Sequence, residues 1–143
     1  MLKCSFMTIF LLFALLANGH TAQFIAHGNG VVTDQVSALM WQQQDDGVQR
    51  DWRAALHYCN DLVWPSGGYS DWRLPDKKEL ASIVDYAAYN PAINAVFIGA
   101  KSSEYWSSTP SSGGYSAWYV NFSGGSVDDW GGKAALFYVR CVR

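Results

Sequence analysis

The sequence predicts one α+β domain: an N-terminal β-hairpin, two helices and then a C-terminal antiparallel β-meander. Three observations predict this order. Residues 24–42 contain strand-like runs, two helical patterns with aspartate caps follow, and residues 105–143 are aromatic and β-branched runs separated by glycine and serine. A chain of 143 residues has room for a single domain.

Residues 1–19 are predicted to be a secretory signal peptide, which leaves the domain at residues 20–143. Lys3 supplies the positive start, residues 6–17 form an apolar run, and small residues follow, so cleavage is expected after Gly19 or Ala22. An uncleaved membrane anchor is the disfavoured alternative, because the apolar run is shorter than the about 20 residues that span a bilayer. Cys4 precedes the run and is therefore no lipoprotein cysteine. We expect a secreted protein, in the periplasm, at the cell surface or outside the cell.

Charge and composition exclude several partners. Loss of Lys3 leaves nine of the ten Lys and Arg residues against twelve Asp and Glu, a net charge of −3. Without a block of positive charge, neither nucleic acid nor membrane insertion after cleavage is expected. The seven Trp, eight Tyr and seven Phe are expected to fill the core for the most part, with a few on the surface.

The first predicted element is a β-hairpin over residues 24–42. Its strands are "VVTD" and "ALMWQ", which the polar residues Asp34, Gln35 and Ser37 separate. The "GNG" at residues 28–30 is a turn, because the third glycine and the helix of a dinucleotide-binding motif are missing.

Asp51 is predicted to cap a first helix that runs through "WRAALHYCNDLV". An apolar stripe at helical spacing places Cys59 on the inner face; its members are Trp52, Ala55, Leu56, Cys59 and Leu62. His57 lies off this stripe and is expected at the surface.

A second helix is predicted directly after the extended piece "DWRLP". Asp76 and Glu79 have the spacing of a capping box. Its buried stripe is expected to comprise Leu80, Ile83, Val84 and Ala87, and "YNPAIN" with Pro91 is expected to end it.

The C-terminal runs "EYWSST", "AWYVNF", "GSVDDW" and "ALFYVRCVR" predict strands joined by glycine-rich turns. Alternation of Trp118, Val120 and Phe122 marks an inner face. Cys141 in the last strand is expected to form a disulfide with Cys59, since an exported chain with two cysteines favours a disulfide over a metal site. Closing so long a loop contributes about 4 kcal/mol in the chain-entropy model.

Four motifs in this order, "GYSDWRLPDKKEL", "YWSST", "AWYVNF" and "YVRCVR", resemble a family of exported bacterial domains. Its named example is the C-terminal domain of the Legionella collagen-like adhesin, and the resemblance covers residues 30–143. The resemblance implies a C-type lectin-like fold, whose two helices, terminal strand pairing and helix-to-last-strand disulfide agree with the layout above. The named example has a collagen-like stalk and binds sulphated glycosaminoglycans, whereas this chain has no G-x-y tract and a negative net charge.

No motif predicts an enzyme. The "GYSDW" and "GYSAW" segments lack the last glycine of a nucleophile elbow, and the histidines have no recognisable catalytic setting. A cysteine-dependent oxidase, a chemistry found on a related fold, needs free thiols. The acidic pairs Asp45–Asp46 and Asp128–Asp129 are interpreted as solvated turns.

No cofactor is predicted, and calcium is the alternative that the sequence leaves open. Asp128 and Asp129, with Asn121 or Glu104, would supply oxygen ligands, but calcium needs six to eight of them. The Glu-Pro-Asn and Trp-Asn-Asp motifs of calcium-dependent lectins are missing.

Several motif residues are predicted to be structural. Arg73 and Arg140 lie between apolar neighbours, so each is expected either to point outward from a strand or to pair with Asp71 or Asp76 at the helix entrance. The full structural set is Asp71, Trp72, Arg73, Asp76, Glu79, Trp106, Trp118 and Arg140.

The expected function is recognition of a glycan or a surface protein, without catalysis. In folds of the C-type lectin type the ligand face is built from long loops around the later strands, here residues 107–116 and 123–133. The candidate ligand residues are Tyr115, Ser126, Asp128, Asp129, Trp130 and Lys133. The alternative is a structural subunit of a bacterial surface assembly; the oligomeric state is left open.

Overall fold

The computed structural model describes residues 22–143, so the predicted signal peptide lies outside the described residues. Within this range the chain forms six strands and two helices. Neither of these two helices is long and apolar enough to cross a membrane. The elements are β1 (Phe24–Ala26), β2 (Val31–Asp34), β3 (Met40–Gln42), α1 (Trp52–Asn60), α2 (Lys77–Ser82), β4 (Glu104–Pro110), β5 (Ser116–Asn121) and β6 (Ser126–Gly132).

The strands form two antiparallel sheets, in the orders β1-β2-β3 and β4-β5-β6. The predicted hairpin of β2 and β3 is confirmed, and β1 adds a third strand by pairing Phe24 with Asp34. Asp34 also closes the β2–β3 turn, because its carboxylate accepts hydrogen bonds from the Val36 N–H and the Ser37 hydroxyl. The predicted α+β class and the C-terminal meander are confirmed.

The β4-β5-β6 sheet lies between two apolar clusters. Tyr105 and Trp106, neighbours on β4, are both fully buried but belong to different clusters, because adjacent strand residues point to opposite faces. Leu80 of α2 packs in the cluster of Tyr105, and Ala55 of α1 packs in the cluster of Trp106. The two helices therefore cover opposite faces of this sheet.

Helix α1 begins as predicted and ends earlier. The Asp51 carboxylate accepts the Ala54 N–H at 2.8 Å. The helix stops at Asn60 instead of continuing to Val63, because the Leu62 N–H turns back to the Cys59 carbonyl. Cys59 is fully buried and forms the predicted disulfide with Cys141.

Helix α2 has the predicted capping box: the Asp76 carboxylate accepts the Glu79 N–H, and the Glu79 carboxylate accepts the Asp76 N–H. The predicted length is wrong, since the helix ends at Ser82. The Asp85 carboxylate then accepts the Ala87 N–H and forms a local turn, so Ala87 is exposed outside the helix.

The sequence predicted one continuous strand for the terminal segment, and this prediction is wrong. Its residues make single bridges to different elements: Phe137 to Arg50, Tyr138 to Tyr105, and Val142 to both Trp41 and Arg73. The segment crosses several short pieces of chain rather than running along one strand. The segment nevertheless connects the two sheets with the extended piece before α2, which is the role predicted for a terminal strand.

Arg140 neither points outward nor pairs with Asp71 or Asp76, so that part of its prediction is wrong, as is the interpretation of Asp45 as a solvated residue. Both are buried and form an ion pair with an Nη2–Oδ2 distance of 3.0 Å. The Arg140 guanidinium also donates to the carbonyls of Gln42 and Gln43, and the Tyr105 hydroxyl donates to Asp45. Burial lowers the pKa of Arg140, against the raising effect of Tyr105 and Asp45.

Arg73 does pair with an acid near the helix entrance, but its partner is Glu79 rather than Asp71 or Asp76. Both guanidinium nitrogens lie 2.7 Å from the Glu79 oxygens. Asp71 pairs instead with Arg143 at the C-terminus, at 2.6 Å. A sequence pattern indicates that charges pair near a helix, but the partner depends on which segments meet in space.

Candidate functional site

The candidate ligand residues lie on or beside the hairpin of β5 and β6. The predicted loop ranges are wrong in part, because residues 107–110 belong to β4 and residues 126–132 form β6. The connecting turns are residues 111–115 and 122–125. Asp128 and Asp129 are therefore strand residues, and not loop residues.

A β-bulge in β6 determines where these side chains go. Ala117 pairs with Gly131 and Tyr119 pairs with Asp128, so one β5 residue, Trp118, lies opposite both Asp129 and Trp130. Asp128 shares the position of Tyr119 and Asp129 that of Trp118, as adjacent strand residues would without a bulge, whereas the extra residue places Trp130 opposite Trp118 as well.

The bulge creates the surface that we call the meander surface, which consists of Lys77, Trp118, Asp129 and Trp130. Lys77 Nζ lies 3.5 Å from the centroid of the Trp118 ring, a cation–π contact. The capping box places Lys77 there, since it is the first residue of α2, and its N–H donates to the Thr109 hydroxyl at 3.1 Å. Trp130, which lies opposite Trp118 in the register of the bulge, is 85% exposed.

Tyr115 and Lys133 meet at the open end of the hairpin. The Lys133 N–H donates to the Tyr115 carbonyl, and Lys133 Nζ donates to the Gly114 carbonyl at 2.8 Å. Lys133 Nζ also lies 4.3 Å from the centroid of the Trp52 ring on α1. Together with His57, which is exposed as predicted, Trp52 and Lys133 line an open depression of about 700 Å³. Tyr115 is 90% exposed.

Ser126 and Asp128 lie at the opposite end, next to the β5–β6 turn. The Ser126 hydroxyl donates to Asp128 at 2.8 Å. Partial burial raises the pKa of the neighbouring Tyr119, and the charges of Asp128 and Glu104 add to this effect. Seven residues at about 3.3 Å each separate Ser126 from Lys133 by about 23 Å, so the six candidates fall into three places rather than one site.

The geometry does not bring the calcium candidates together. The Asn121 amide donates to Glu104 at 3.3 Å, and Asp128 lies two pairs further along the sheet. Asp129 lies in the bulge, opposite Trp118. In the part of the chain that the structure describes, no three His, Cys, Asp or Glu residues form a group suited to a metal ion. Calcium binding thus stays an untested alternative.

The tryptophans predicted to be structural differ in environment. Trp72 and Trp106 are buried, and their indole N–H groups donate to the carbonyls of Trp64 and Arg50. Trp118 is only half-buried and forms part of the meander surface. Sequence reasoning missed Lys77 as its partner, because no pattern along the chain links the start of α2 with the middle of β5.

Residues 30–143 match the model of the Lcl C-terminal domain. The chain belongs to the Lcl C-terminal domain family. The match covers the described domain apart from its first strand, and it confirms the resemblance seen in the motifs. The family is one of exported, adhesin-like domains. No curated protein matches the chain.

In this Lcl C-terminal domain, the recognisable motifs have structural roles. The "GYSDWRLPDKKEL" motif contains the Arg73–Glu79 ion pair and the α2 capping box. The "YVRCVR" motif contains buried Arg140 and the disulfide residue Cys141. The exposed Trp130 lies outside the four motifs, whereas Lys77 and Trp118 lie within them, so the meander surface combines motif and non-motif residues.

Proposed function

We propose that the protein is an exported, non-catalytic recognition module that binds a glycan or a protein through the hairpin of β5 and β6. The observation that carries this proposal is Trp130, a large aromatic side chain that is 85% exposed within a strand. Three other tryptophans, Trp41, Trp72 and Trp106, are buried in the core.

The chemistry of the meander surface supports the proposal. An exposed indole loses water favourably when a sugar face or an apolar side chain covers it, and tryptophan is enriched at binding hot spots. Lys77 and Asp129 flank the rings of Trp118 and Trp130 with one charge of each sign. Such a surface combines an apolar platform with hydrogen-bonding groups at its border.

The proposal includes a C-type lectin-like fold and an N-terminal signal peptide. Two antiparallel sheets, two helices and a disulfide from α1 to the terminal segment support the fold. The disulfide also supports secretion, because such bonds persist in oxidising compartments. Periplasm, cell surface and medium all satisfy this condition.

The alternative is a structural subunit of a surface assembly. A specific observation favours it: Tyr115, which is 90% exposed, lies at the open end of the hairpin and outside the meander surface, so the hairpin exposes two separate aromatic side chains. Contacts with two neighbouring protein subunits would cover both. In that case the aromatic residues would contact protein.

Two measurements on the chain purified after export test the proposal: binding to a glycan array and molar mass by light scattering. We expect binding that is lost in Trp130→Ala and weakened in Lys77→Ala. Tyr89→Ala is the matched control, since Tyr89 is also strongly exposed, at 76%, but lies outside the meander surface.

A stable oligomer that binds no glycan and dissociates in Trp130→Ala would favour the assembly subunit. A monomer that binds no glycan, and whose binding to host-cell or bacterial surfaces is unchanged in Trp130→Ala, would overturn the proposal.

A further inference from the structure

A second concave feature lies away from the meander surface, at the end of β3. It is a groove of about 250 Å³, which we call the glutamine groove. Residues that form it include Gly30, Gln42, Gln44, Asp46, Tyr58 and Trp64. The volume is just below the range of about 300–1,000 Å³ that drug-sized ligands occupy, so it suits a single ring.

One wall of the groove is the indole of Trp64, which is held against the backbone of Gly30. Gly30 has a φ of +88°, and a Cβ atom there would lie 2.8 Å from the Trp64 ring. Only glycine permits both the backbone conformation and this close approach. With the ring 37% exposed, one part of it stays open to a ligand.

Tyr58 also lines the groove and is held by two contacts. The Arg50 guanidinium lies 3.9 Å from the centroid of its ring, and Gln42 Nε2 donates to its hydroxyl at 3.3 Å. Gln42 is itself buried and accepts the Cys141 N–H at 2.8 Å. Both aromatic walls are therefore fixed before any ligand arrives, which lowers the entropic cost of binding.

The charges of the groove are paired within the protein. Asp45 is neutralised from below by Arg140, and Asp46 is held at the rim by Arg50 with an Nη2–Oδ2 distance of 2.6 Å. Burial alone would raise the pKa of Asp46, but the hydrogen bonds from Arg50 and the Val48 N–H lower it below its ordinary value. Neither an anion nor a cation finds an unpaired opposite charge here.

Amide groups remain for hydrogen bonding. Gln43 Nε2 donates to the Val96 carbonyl, which directs that amide and leaves its oxygen as an acceptor. Gln44 is exposed at the rim, with its amide against Gly99. Primary amides match sugar hydroxyls because each offers both donors and acceptors.

We infer that the glutamine groove binds a neutral hexose unit, whose C–H face packs on Trp64 and whose hydroxyls meet the glutamine amides. The inference goes beyond the proposed function, because it assigns a ligand class to a site separate from the meander surface. The negative face of an aromatic ring attracts the weakly positive C–H groups of a sugar. Because the charged side chains of the groove are already paired with each other, a neutral ligand is preferred over an anion or a cation.

The test is a titration of ¹⁵N-labelled protein with glucose, galactose and mannose, followed by the indole N–H signals. Trp64→Phe identifies the Trp64 signal. We expect a neutral hexose to shift this signal, and glucuronate, which differs from glucose by one carboxylate, to bind more weakly. Trp64→Ala is expected to weaken binding about tenfold.

Tyr89→Ala is the matched control, because Tyr89 is an exposed aromatic residue outside both the glutamine groove and the meander surface, and it is expected to leave hexose binding at the groove unchanged. Thermal unfolding of both variants shows whether they are folded. If the hexoses shift only the Trp130 signal, the groove inference is wrong while the proposed function stands. If none of the three hexoses shifts the Trp64 signal at millimolar concentration, the inference is also overturned, whatever the glycan array shows for Trp130.

Discussion

The glutamine groove and the meander surface differ in what holds their side chains in place. The groove rests on the buried Asp45–Arg140 pair and on Gln42, which bonds to Tyr58 and to the Cys141 backbone. Trp130 of the meander surface extends into solvent from a bulge. The groove is thus fixed by the core, whereas Trp130 of the meander surface is carried by one hairpin.

This difference predicts different binding behaviour. A site that is ordered before binding loses little conformational entropy and selects one shape. An exposed indole has rotamers to lose, but it adapts to more than one partner. The groove is therefore suited to a small defined ring, and the meander surface to a larger or more variable surface.

Arg140→Met is expected to have the largest effect on stability and to disturb the glutamine groove but not the meander surface. The substitution leaves Asp45 as a buried charge without its cation and removes two hydrogen bonds to the carbonyls of Gln42 and Gln43. We expect a loss of about 3–5 kcal/mol in the free energy of unfolding, measured with urea. The Trp64 indole signal should move, and the Trp130 signal should stay.

The double variant Asp45→Asn with Arg140→Met is the control for this prediction. Removing the uncompensated charge should restore part of the lost stability. A loss below about 1 kcal/mol in Arg140→Met would contradict the view that this ion pair supports the groove floor.

Glu79→Gln tests the support of the meander surface at the start of α2. The hydrogen bonds from Arg73 lower the pKa of Glu79 below its ordinary 4.5, with partial burial acting in the opposite direction. A carboxylate whose pKa is lower in the folded state stabilises the fold above its unfolded pKa, and this contribution disappears as the pH falls through the folded pKa.

We therefore expect Glu79→Gln to lower the free energy of unfolding by about 0.5 kcal/mol at neutral pH, because the pair is partly exposed. The difference from the parent chain should shrink well below pH 4.5, which urea unfolding across an acid pH series measures. A difference that stays constant down to about pH 3 would show that the charge of Glu79 contributes nothing.

Trp130→Ala should have the smallest effect on stability. Its side chain is exposed, so we expect a change within about 0.5 kcal/mol, measured by thermal unfolding. Tyr115→Ala provides a second exposed aromatic for comparison. If Trp130→Ala lowered the free energy of unfolding by more than about 2 kcal/mol, Trp130 would be a packed core residue and would not be available to a ligand.

Much of the fold follows from short-range patterns. Asp51 and Asp76 were recognisable as helix caps because capping involves residues two or three positions apart. The disulfide between Cys59 and Cys141 followed from cysteine count and export. Both helices were predicted to extend further than they do. A local turn such as the one at Asp85 differs from another helical turn by about one hydrogen bond, which the sequence does not reveal.

The sequence by itself determined the class of the fold, the caps, the disulfide and the motifs that identify the family, since these depend on local chemistry or on residue counts. Only the tertiary structure decided that Arg140 meets Asp45, that Lys77 covers Trp118, and that the six ligand candidates divide among three places. Each of these results depends on pairings between distant segments and on one bulge, whose extra residue changes the direction of every side chain after it.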